Sequence, residues 1–129
     1  MKRSRKIISE ILFRKKIQED RRPWGKFRAY PTLGARRVKI ITVRPGASLS
    51  LQFHRRRSEF WVVLDAGLEI TVGSRVWRPS AGEEIFIPSQ TAHRLRGVGR
   101  RPGRVMEIWL GSSSESDIVR LEDIYGRDR

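Results

Sequence analysis

The sequence contains no cysteine, and this absence excludes disulfide bonds and thiolate metal ligands. Long hydrophobic runs are also missing, since no apolar stretch approaches the roughly 20 residues of a membrane-spanning helix. The basic N-terminus is not followed by the continuous apolar region of a secretory signal, because Ser9 and Glu10 interrupt it. We therefore expect a cytoplasmic protein without a transmembrane segment.

Acidic residues are scarce compared with basic ones, and the 14 Asp and Glu against 28 Lys and Arg give a formal charge of +14. A basic surface attracts phosphates through counterion release. Here the positive charge is dispersed, and no zinc finger, RNP signature or GXXG loop accompanies it. We expect no specific nucleic-acid partner. The alternative is a basic module that binds nucleic acid or a membrane surface through its N-terminal segment.

The 129 residues suffice for one domain of ordinary size. Apolar residues at helical spacing predict a helix over residues 5–19, which Arg21-Arg22-Pro23 would end, since the residue before proline avoids the helical region. We expect this helix to dock on its own domain or on a second subunit. The predicted organisation is a basic N-terminal helical extension, residues 1–21, followed by one domain, residues 22–129.

From Trp24 onward, short apolar or alternating segments are separated by Gly, Pro and Ser turns. Such closely spaced strands are typical of an all-β sandwich or barrel. The tail is predicted to differ, with one short helix within Asp117–Tyr125. The predicted strands are residues 37–43, 49–54, 60–64, 68–72, 75–78, 84–87, 93–96 and 104–110.

The chain has only two histidines, and each lies beside other oxygen or nitrogen ligands of metals. Gln52 and His54 are two residues apart and share one face of a strand. Glu59 joins them only if the chain bends within residues 55–58, and His93 only if a barrel closes. Two imidazoles, a carboxylate and an amide oxygen suit a borderline divalent cation. The alternative is that both histidines only form hydrogen bonds at a barrel rim.

These motifs resemble those of a known family, the type II mannose-6-phosphate isomerases. In that family the isomerase is a cupin domain, a jelly-roll barrel or double-stranded β-helix, that often follows a mannose-1-phosphate guanylyltransferase domain. The resemblance covers about residues 22–127. It is carried by Arg22-Pro-Trp-Gly25, Leu49-Ser-Leu-Gln-Phe-His-Arg-Arg-Arg-Ser-Glu-Phe-Trp61, Ile87-Pro-Ser-Gln-Thr-Ala-His-Arg-Leu95 and Asp117-Ile-Val-Arg-Leu-Glu-Asp-Ile-Tyr-Gly-Arg127.

The resemblance implies a homodimeric enzyme of polysaccharide biosynthesis that interconverts mannose 6-phosphate and fructose 6-phosphate. It implies a divalent metal at the four residues named above, zinc in the first place, with cobalt, manganese, nickel or magnesium as alternatives. It makes Arg57 the candidate for catalysis, by binding the phosphate or stabilising the enediolate, and the alternative is that Arg57 is one of three solvated arginines. We also expect Arg55 and Arg94 to contact the substrate.

The sequence departs from the family pattern where histidines would stand, with Arg55, Arg56 and Phe60 in their places. An arginine cannot act as a general base near neutral pH. Glu69 or Glu107 could supply that base if either faced the cavity. The alternative function is a non-catalytic cupin that binds a phosphorylated sugar or sugar nucleotide.

Overall fold

Two antiparallel sheets form the body of the protein, as the computed structural model shows for residues 2–32 and 37–127, with side chains described from Ser9 onward. Within these residues one helix precedes eleven strands. The elements are α1 (Lys2–Lys15), β1 (Gln18–Arg22), β2 (Gly25–Tyr30), β3 (Val38–Val43), β4 (Leu51–Phe53), β5 (Ser58–Val63), β6 (Leu68–Val72), β7 (Arg75–Trp77), β8 (Glu84–Ile87), β9 (His93–Gly97), β10 (Gly103–Leu110) and β11 (Val119–Glu122).

The strands are ordered β1-β2-β3-β10-β5-β8 in one sheet and β11-β4-β9-β6-β7 in the other. Strands distant in sequence are therefore neighbours, and the chain crosses repeatedly from one sheet to the other. This arrangement confirms the predicted all-β cupin barrel. The predicted strands between residues 37 and 110 are all present, with ends that shift by a few residues.

On two strands, β5 and β9, the side chains that point into the barrel change from apolar to polar along the strand. On β5, Val63 is buried at one end and Glu59 at the other. On β9, Leu95 and His93 show the same change. The barrel thus has an apolar half and a half that contains buried polar groups. The apolar core consists of Trp24, Ile41, Val43, Trp61, Val63, Leu68, Ile70, Ile85, Ile87, Leu95 and Val105.

The N-terminal helix is shorter than predicted, because α1 ends at Lys15 and not at residue 19. Residues Gln18–Arg22 instead form β1, which pairs with β2 at the edge of the larger sheet. All five residues of β1 are exposed and polar, so no alternation of apolar residues announces a strand. Charged side chains are common on edge strands, where they oppose pairing with other chains. The division into residues 1–21 and 22–129 stays a prediction, and β1 straddles that boundary.

The described apolar side chains of α1 are not covered by the barrel. Ile11, Leu12 and Phe13 are 47%, 54% and 47% exposed. Docking of these side chains on the chain's own domain is therefore not observed, and docking on a second subunit stays a prediction. None of the helices in the described part of the chain has the length and apolar character needed to span a membrane.

The C-terminal segment is a strand where a helix was predicted. Val119–Glu122 forms β11, with Val119 opposite Phe53 and Arg120 opposite Gln52 of β4. The prediction within Asp117–Tyr125 was wrong because long-range pairing with β4 outweighs the local preference for a helix. The correction matters for function, because it brings Arg120 beside a predicted metal ligand.

Gly25, which opens β2, has a backbone that no other residue would tolerate easily. Its φ is 148°, and an added Cβ would collide with the carbonyl oxygen of Thr42 on β3. We expect Gly25→Ala to lower the free energy of unfolding by about 2–4 kcal/mol, since both strain and overpacking contribute. Gly46→Ala is the control, because Gly46 also has a positive φ but open space around it. Urea denaturation should give a loss of only about 1 kcal/mol for the control. If Gly25→Ala and Gly46→Ala lowered the free energy of unfolding equally, close packing of Gly25 against Thr42 would not be the cause.

Candidate metal centre and active-site cleft

The chain crosses between the two sheets just after His54. Strand β4 ends at Phe53, the chain bends at Arg55 and Arg56, and β5 begins at Ser58 in the opposite sheet. The predicted bend within residues 55–58 is therefore confirmed. As a consequence, His54 and Glu59 face one another across the barrel interior.

His54, Glu59 and His93 form one buried cluster. Their ligand atoms all lie within 4.8 Å of one another. The Nε2 atom of His54 is 3.5 Å from Glu59 Oε2, and the Nε2 atom of His93 is 3.3 Å from Glu59 Oε1. The structure thus brings together three of the four predicted metal ligands.

The hydrogen bonds of the two imidazoles indicate which nitrogen is free to bind a metal. Nδ1 of His54 donates to the carbonyl oxygen of Asp117 at 2.6 Å, and Nδ1 of His93 donates to that of Thr91 at 2.9 Å. A carbonyl oxygen only accepts, so each Nδ1 carries a proton. Each Nε2 then points toward Glu59, in the arrangement typical of metal-bound histidines.

Two buried atoms of the cluster have no hydrogen-bond partner among the described residues, Glu59 Oε1 and His93 Nε2. In the neutral form of His93, two electron-rich atoms would face one another at 3.3 Å. Either a proton on His93 or a cation between them removes this repulsion. The nitrogen and oxygen donors present fit a divalent ion such as zinc.

The pKa values in the cluster follow from burial and mutual charge. Burial raises the pKa of Glu59, but His93, His54 and Arg57 outweigh it and lower that pKa to about 2. Burial lowers the pKa of His54 to about 4, against the opposing effect of Glu59. Burial also acts to lower the pKa of His93, but Glu59 raises it overall. His54 is therefore neutral at pH 7, whereas Glu59 favours the protonated form of His93.

Arg57 is buried inside the same cluster, and each of its three guanidinium nitrogens forms at least one hydrogen bond. Nε donates to Glu59 Oε2 at 3.0 Å, and Nη2 donates to His54 Nε2 at 3.1 Å. Nη1 donates to Ser113 Oγ and to the carbonyl oxygen of Ser114. The guanidinium also lies 3.5 Å from the centre of the Trp109 ring. Arg57 therefore contacts two of the predicted ligand atoms directly.

Gln52 lies beside the cluster, since its Cα is opposite that of His93 and its side chain lines the same cleft. Its Oε1 accepts a hydrogen bond from Ser50 Oγ at 2.6 Å. The amide is thus held by Ser50, and its role as a fourth ligand stays a prediction.

Asp117 holds the crossover segment in place. Its carboxylate accepts hydrogen bonds from the backbone N–H groups of Arg55 and Arg56, both at 2.9 Å, and from Ser113 Oγ at 2.7 Å. Burial raises its pKa, but these hydrogen bonds outweigh burial and lower the pKa to about 2. Because its carbonyl oxygen also binds His54, Asp117 fixes the orientation of that imidazole.

The second motif is tied to the first through Gln90, whose backbone N–H donates to the carbonyl oxygen of His54 at 2.7 Å. Gln90 has a φ of 65°. This left-handed conformation is one that glycine adopts more readily than other residues.

Two members of the cluster, His54 and His93, line a cleft that opens to solvent and has a volume of about 790 Å³ counted out to its open mouth. The cleft is also lined by Lys39 and Glu107, which are register partners on β3 and β10. The barrel half that carries buried polar groups is therefore the functional half.

Glu107 is a buried acid in this cleft. Its Oε1 accepts a hydrogen bond from Trp109 Nε1 at 2.7 Å. Burial raises its pKa to about 7, with the negative charge of Glu59 adding to the effect and Lys39 opposing it. Of the two acids considered from the sequence, Glu107 faces the cleft, whereas Glu69 lies near Arg78 and Arg96 on the barrel surface.

The positions that depart from the family pattern lie outside this cleft. Arg55 and Arg56 are exposed and line a separate surface depression with Asp117 and four serines, Ser112, Ser113, Ser114 and Ser116. Phe60 is at an outward position of β5, between two buried residues. Of the arginines expected to contact substrate, Arg94 lines the cleft and donates to Glu122 at 3.0 Å. Arg55 does not line the cleft and lies in the separate surface depression.

Sequence reasoning assigned no role to several residues of the site. One of them is Asp117, which holds the crossover segment, and the others are three arginines along the cleft wall. The sequence places these arginines in the first and last motifs that resemble the family, but it does not show that their side chains line the cleft. These arginines are Arg22, Arg120 and Arg127.

Several curated proteins resemble this chain over most of its length. The alginate biosynthesis protein AlgA of Pseudomonas putida is 43% identical over 107 residues, which cover 82% of this chain and 22% of AlgA. The xanthan biosynthesis protein XanB of Xanthomonas campestris is 40% identical over 120 residues, covering 92% and 25%. The mannose-1-phosphate guanylyltransferase ManC of Salmonella typhimurium is 40% identical over 107 residues, covering 82% and 22%. The chain thus spans about a quarter or less of these relatives.

Solved structures with low sequence identity share the fold. The capsular polysaccharide assembling protein CapF of Staphylococcus aureus superposes with a TM-score of 0.69 at 18% identity, over 82% of this chain and 34% of CapF. Oxalate decarboxylase of Lactobacillus farciminis superposes with a TM-score of 0.71 at 17% sequence identity, over 84% of this chain and 34% of the decarboxylase. The family model described as mannose-6-phosphate isomerase C-terminal matches residues 13–123. This match agrees with the motifs and the buried cluster, and the chain belongs to the mannose-6-phosphate isomerase C-terminal family.

Proposed function

We propose that this domain is a metal-dependent aldose–ketose isomerase that interconverts mannose 6-phosphate and fructose 6-phosphate. The observation that carries the proposal is the convergence of two imidazole Nε2 atoms on one buried carboxylate, in a cleft that also contains an acid of raised pKa. Membership of the family supplies the substrate class. Similarity to the alginate biosynthesis protein AlgA and the xanthan biosynthesis protein XanB supports a role in polysaccharide biosynthesis.

His54, Glu59 and His93 would hold the metal, with Gln52 as the nearest further ligand. When bound, the ion would polarise the sugar carbonyl and stabilise negative charge on the neighbouring oxygens. Zinc is the first choice because two imidazoles and one carboxylate suit it, and cobalt, manganese, nickel and magnesium are alternatives.

Glu107 is our choice for the residue that moves the proton between C1 and C2 of the sugar. Isomerisation removes a proton from one carbon and returns it to the next, so the same group must act as base and then as acid. A carboxyl with a pKa of about 7 is suited to both steps near neutral pH. Trp109 holds Oε1, and no described residue forms a hydrogen bond to Oε2.

Lys39 and Arg57 would stabilise the enediolate that forms between these proton transfers. Lys39 is buried beside Glu107, and its Nζ forms an ion pair with Glu115 at 2.5 Å. Arg57 donates to two of the proposed metal ligands, Glu59 and His54, and this position supports charge stabilisation near the reacting carbons in preference to phosphate binding.

One observation favours the alternative of a non-catalytic sugar-phosphate-binding domain. The Arg57 guanidinium already bonds to His54 Nε2 and Glu59 Oε2, so an internal cation satisfies part of the predicted metal shell. A domain that kept this arrangement would bind ligand without turnover. A coupled assay with added metal separates the two functions, because only the isomerase would show turnover.

Two further expectations stay predictions. A homodimer would give the exposed apolar side chains of α1 a partner surface. The cytoplasmic location expected from the sequence has no structural test.

Metal binding should depend on Glu59 and on pH. Because Glu59 raises the pKa of His93, a proton on this imidazole competes with the metal and must leave when the metal binds. We expect zinc affinity to fall as pH is lowered from 8 to 6, with a proton release per ion that grows as pH falls. Calorimetry in buffers of different ionisation enthalpy measures both quantities.

Glu59→Gln should weaken zinc binding by more than about 100-fold, since it removes a direct ligand. Glu107→Gln is the matched control and should retain the ion. Equal affinity in the two variants would refute the assignment of the site.

Glu107→Gln should reduce kcat by about 100- to 10,000-fold, the usual contribution of a general base. The rise of kcat with pH, which reflects ionisation of this carboxyl, should also disappear. Glu69→Gln is the control, since Glu69 lies outside the cleft. The coupled isomerase assay across pH provides the measurement, and full activity of Glu107→Gln would exclude this residue as the base.

A further inference from the structure

Three arginines along the wall of the cleft have more hydrogen-bond donors than the chain satisfies. Arg127 pairs with Asp123 through contacts of 2.6 and 3.2 Å, and Arg22 lies 3.6 Å from Asp20. Arg120 differs, because no described residue forms a hydrogen bond or ion pair with its side chain. Its Nε is buried without a partner. A buried unsatisfied donor is costly unless a ligand completes it.

The strand register gives the distance of this group from the metal centre. Arg120 on β11 is opposite Gln52 on β4, and Gln52 is opposite His93 on β9. Side chains at such positions share one face of the sheet. Two strand spacings separate the Cα atoms of Arg120 and His93, which is about 10 Å. A substrate of hexose phosphate size can therefore reach from one group to the other.

The charges around Arg120 also indicate an anionic ligand. Burial lowers the pKa of Arg120, and repulsion from Arg127 and Arg22 adds to this, while Asp123 opposes it. Guanidinium groups close enough to repel each other gain free energy when a dianion binds between them. Planar guanidinium groups also match phosphate oxygens in geometry.

We propose that Arg120, with Arg22 and Arg127 beside it, binds the phosphate monoester dianion of the sugar substrate in the cleft, about 10 Å across the sheet from His93. The inference rests on the proposed function for the identity of the sugar. It differs from the expectation for Arg57 and Arg55, because each guanidinium nitrogen of Arg57 already forms a hydrogen bond within the chain and Arg55 lies outside the cleft.

The test is calorimetric binding of mannose 6-phosphate, mannose and inorganic phosphate to the full chain. Arg120→Gln should weaken mannose 6-phosphate binding by about 10- to 100-fold, the usual effect of one charge-assisted hydrogen bond to phosphate. Binding of unphosphorylated mannose should not change. In the isomerase assay KM should rise with little change in kcat.

Arg100→Gln is the matched control, because Arg100 is exposed in the turn after β9. Arg22→Gln is a second test variant, since Arg22 is largely exposed and its replacement should leave the fold intact. Arg22→Gln should weaken binding of mannose 6-phosphate to a smaller extent than Arg120→Gln. The proposal can therefore still be tested if Arg120→Gln fails to fold.

The proposal is overturned if Arg120→Gln and Arg22→Gln bind mannose 6-phosphate as well as Arg100→Gln does. It is also overturned if Arg55→Gln weakens the binding and the cleft variants do not. If the protein binds mannose 6-phosphate through Arg120 but shows no turnover, the phosphate site is supported and the isomerase function is refuted. If the protein shows turnover and Arg120→Gln binds mannose 6-phosphate normally, the isomerase function is supported and the phosphate site is refuted.

Discussion

The buried carboxylate of Glu59 is the group on which the rest of the site depends. It faces the Nε2 atoms of two histidines at 3.3 and 3.5 Å and the guanidinium of Arg57 at 3.0 Å. A carboxylate with so little contact with water requires positive charge close by. Arg57 supplies that charge within the chain, the protonated form of His93 adds to it, and a divalent cation would supply more. The same arrangement therefore explains both the stability of the closed cluster and its fitness for a metal.

The barrel makes this cluster possible because its two sheets carry polar groups at the same end. Glu59 and Glu107 point inward from adjacent strands of one sheet, and His93 points inward from the other. Asp117 then fixes His54 from outside the barrel. Because the cleft wall continues from the cluster to Arg120, one concave surface can contact both ends of a phosphorylated sugar. Fold, electrostatics and substrate shape thus point to the same end of the molecule.

Much of this arrangement could be predicted from the sequence, and the failures have physical reasons. Strand alternation and turn residues predicted the barrel, and motif spacing predicted the grouping of His54, Glu59 and His93. The polar edge strand β1 and the C-terminal strand β11 were missed because their pairing partners, not their own residues, determine their conformation. The sequence could not decide between Glu69 and Glu107 as the base and gave Arg120 no role, because only the closed barrel shows which charged side chains face the cleft.

The most direct test of the account is a crystal structure of the zinc-soaked protein with anomalous scattering at the zinc edge. The account predicts one dominant peak in contact with His54 Nε2, His93 Nε2 and the Glu59 carboxylate, at distances of about 2.0–2.2 Å. It also predicts that the Arg57 guanidinium moves away from His54 Nε2. A cluster without a zinc peak, with the bond between Arg57 and His54 intact, would contradict the central claim.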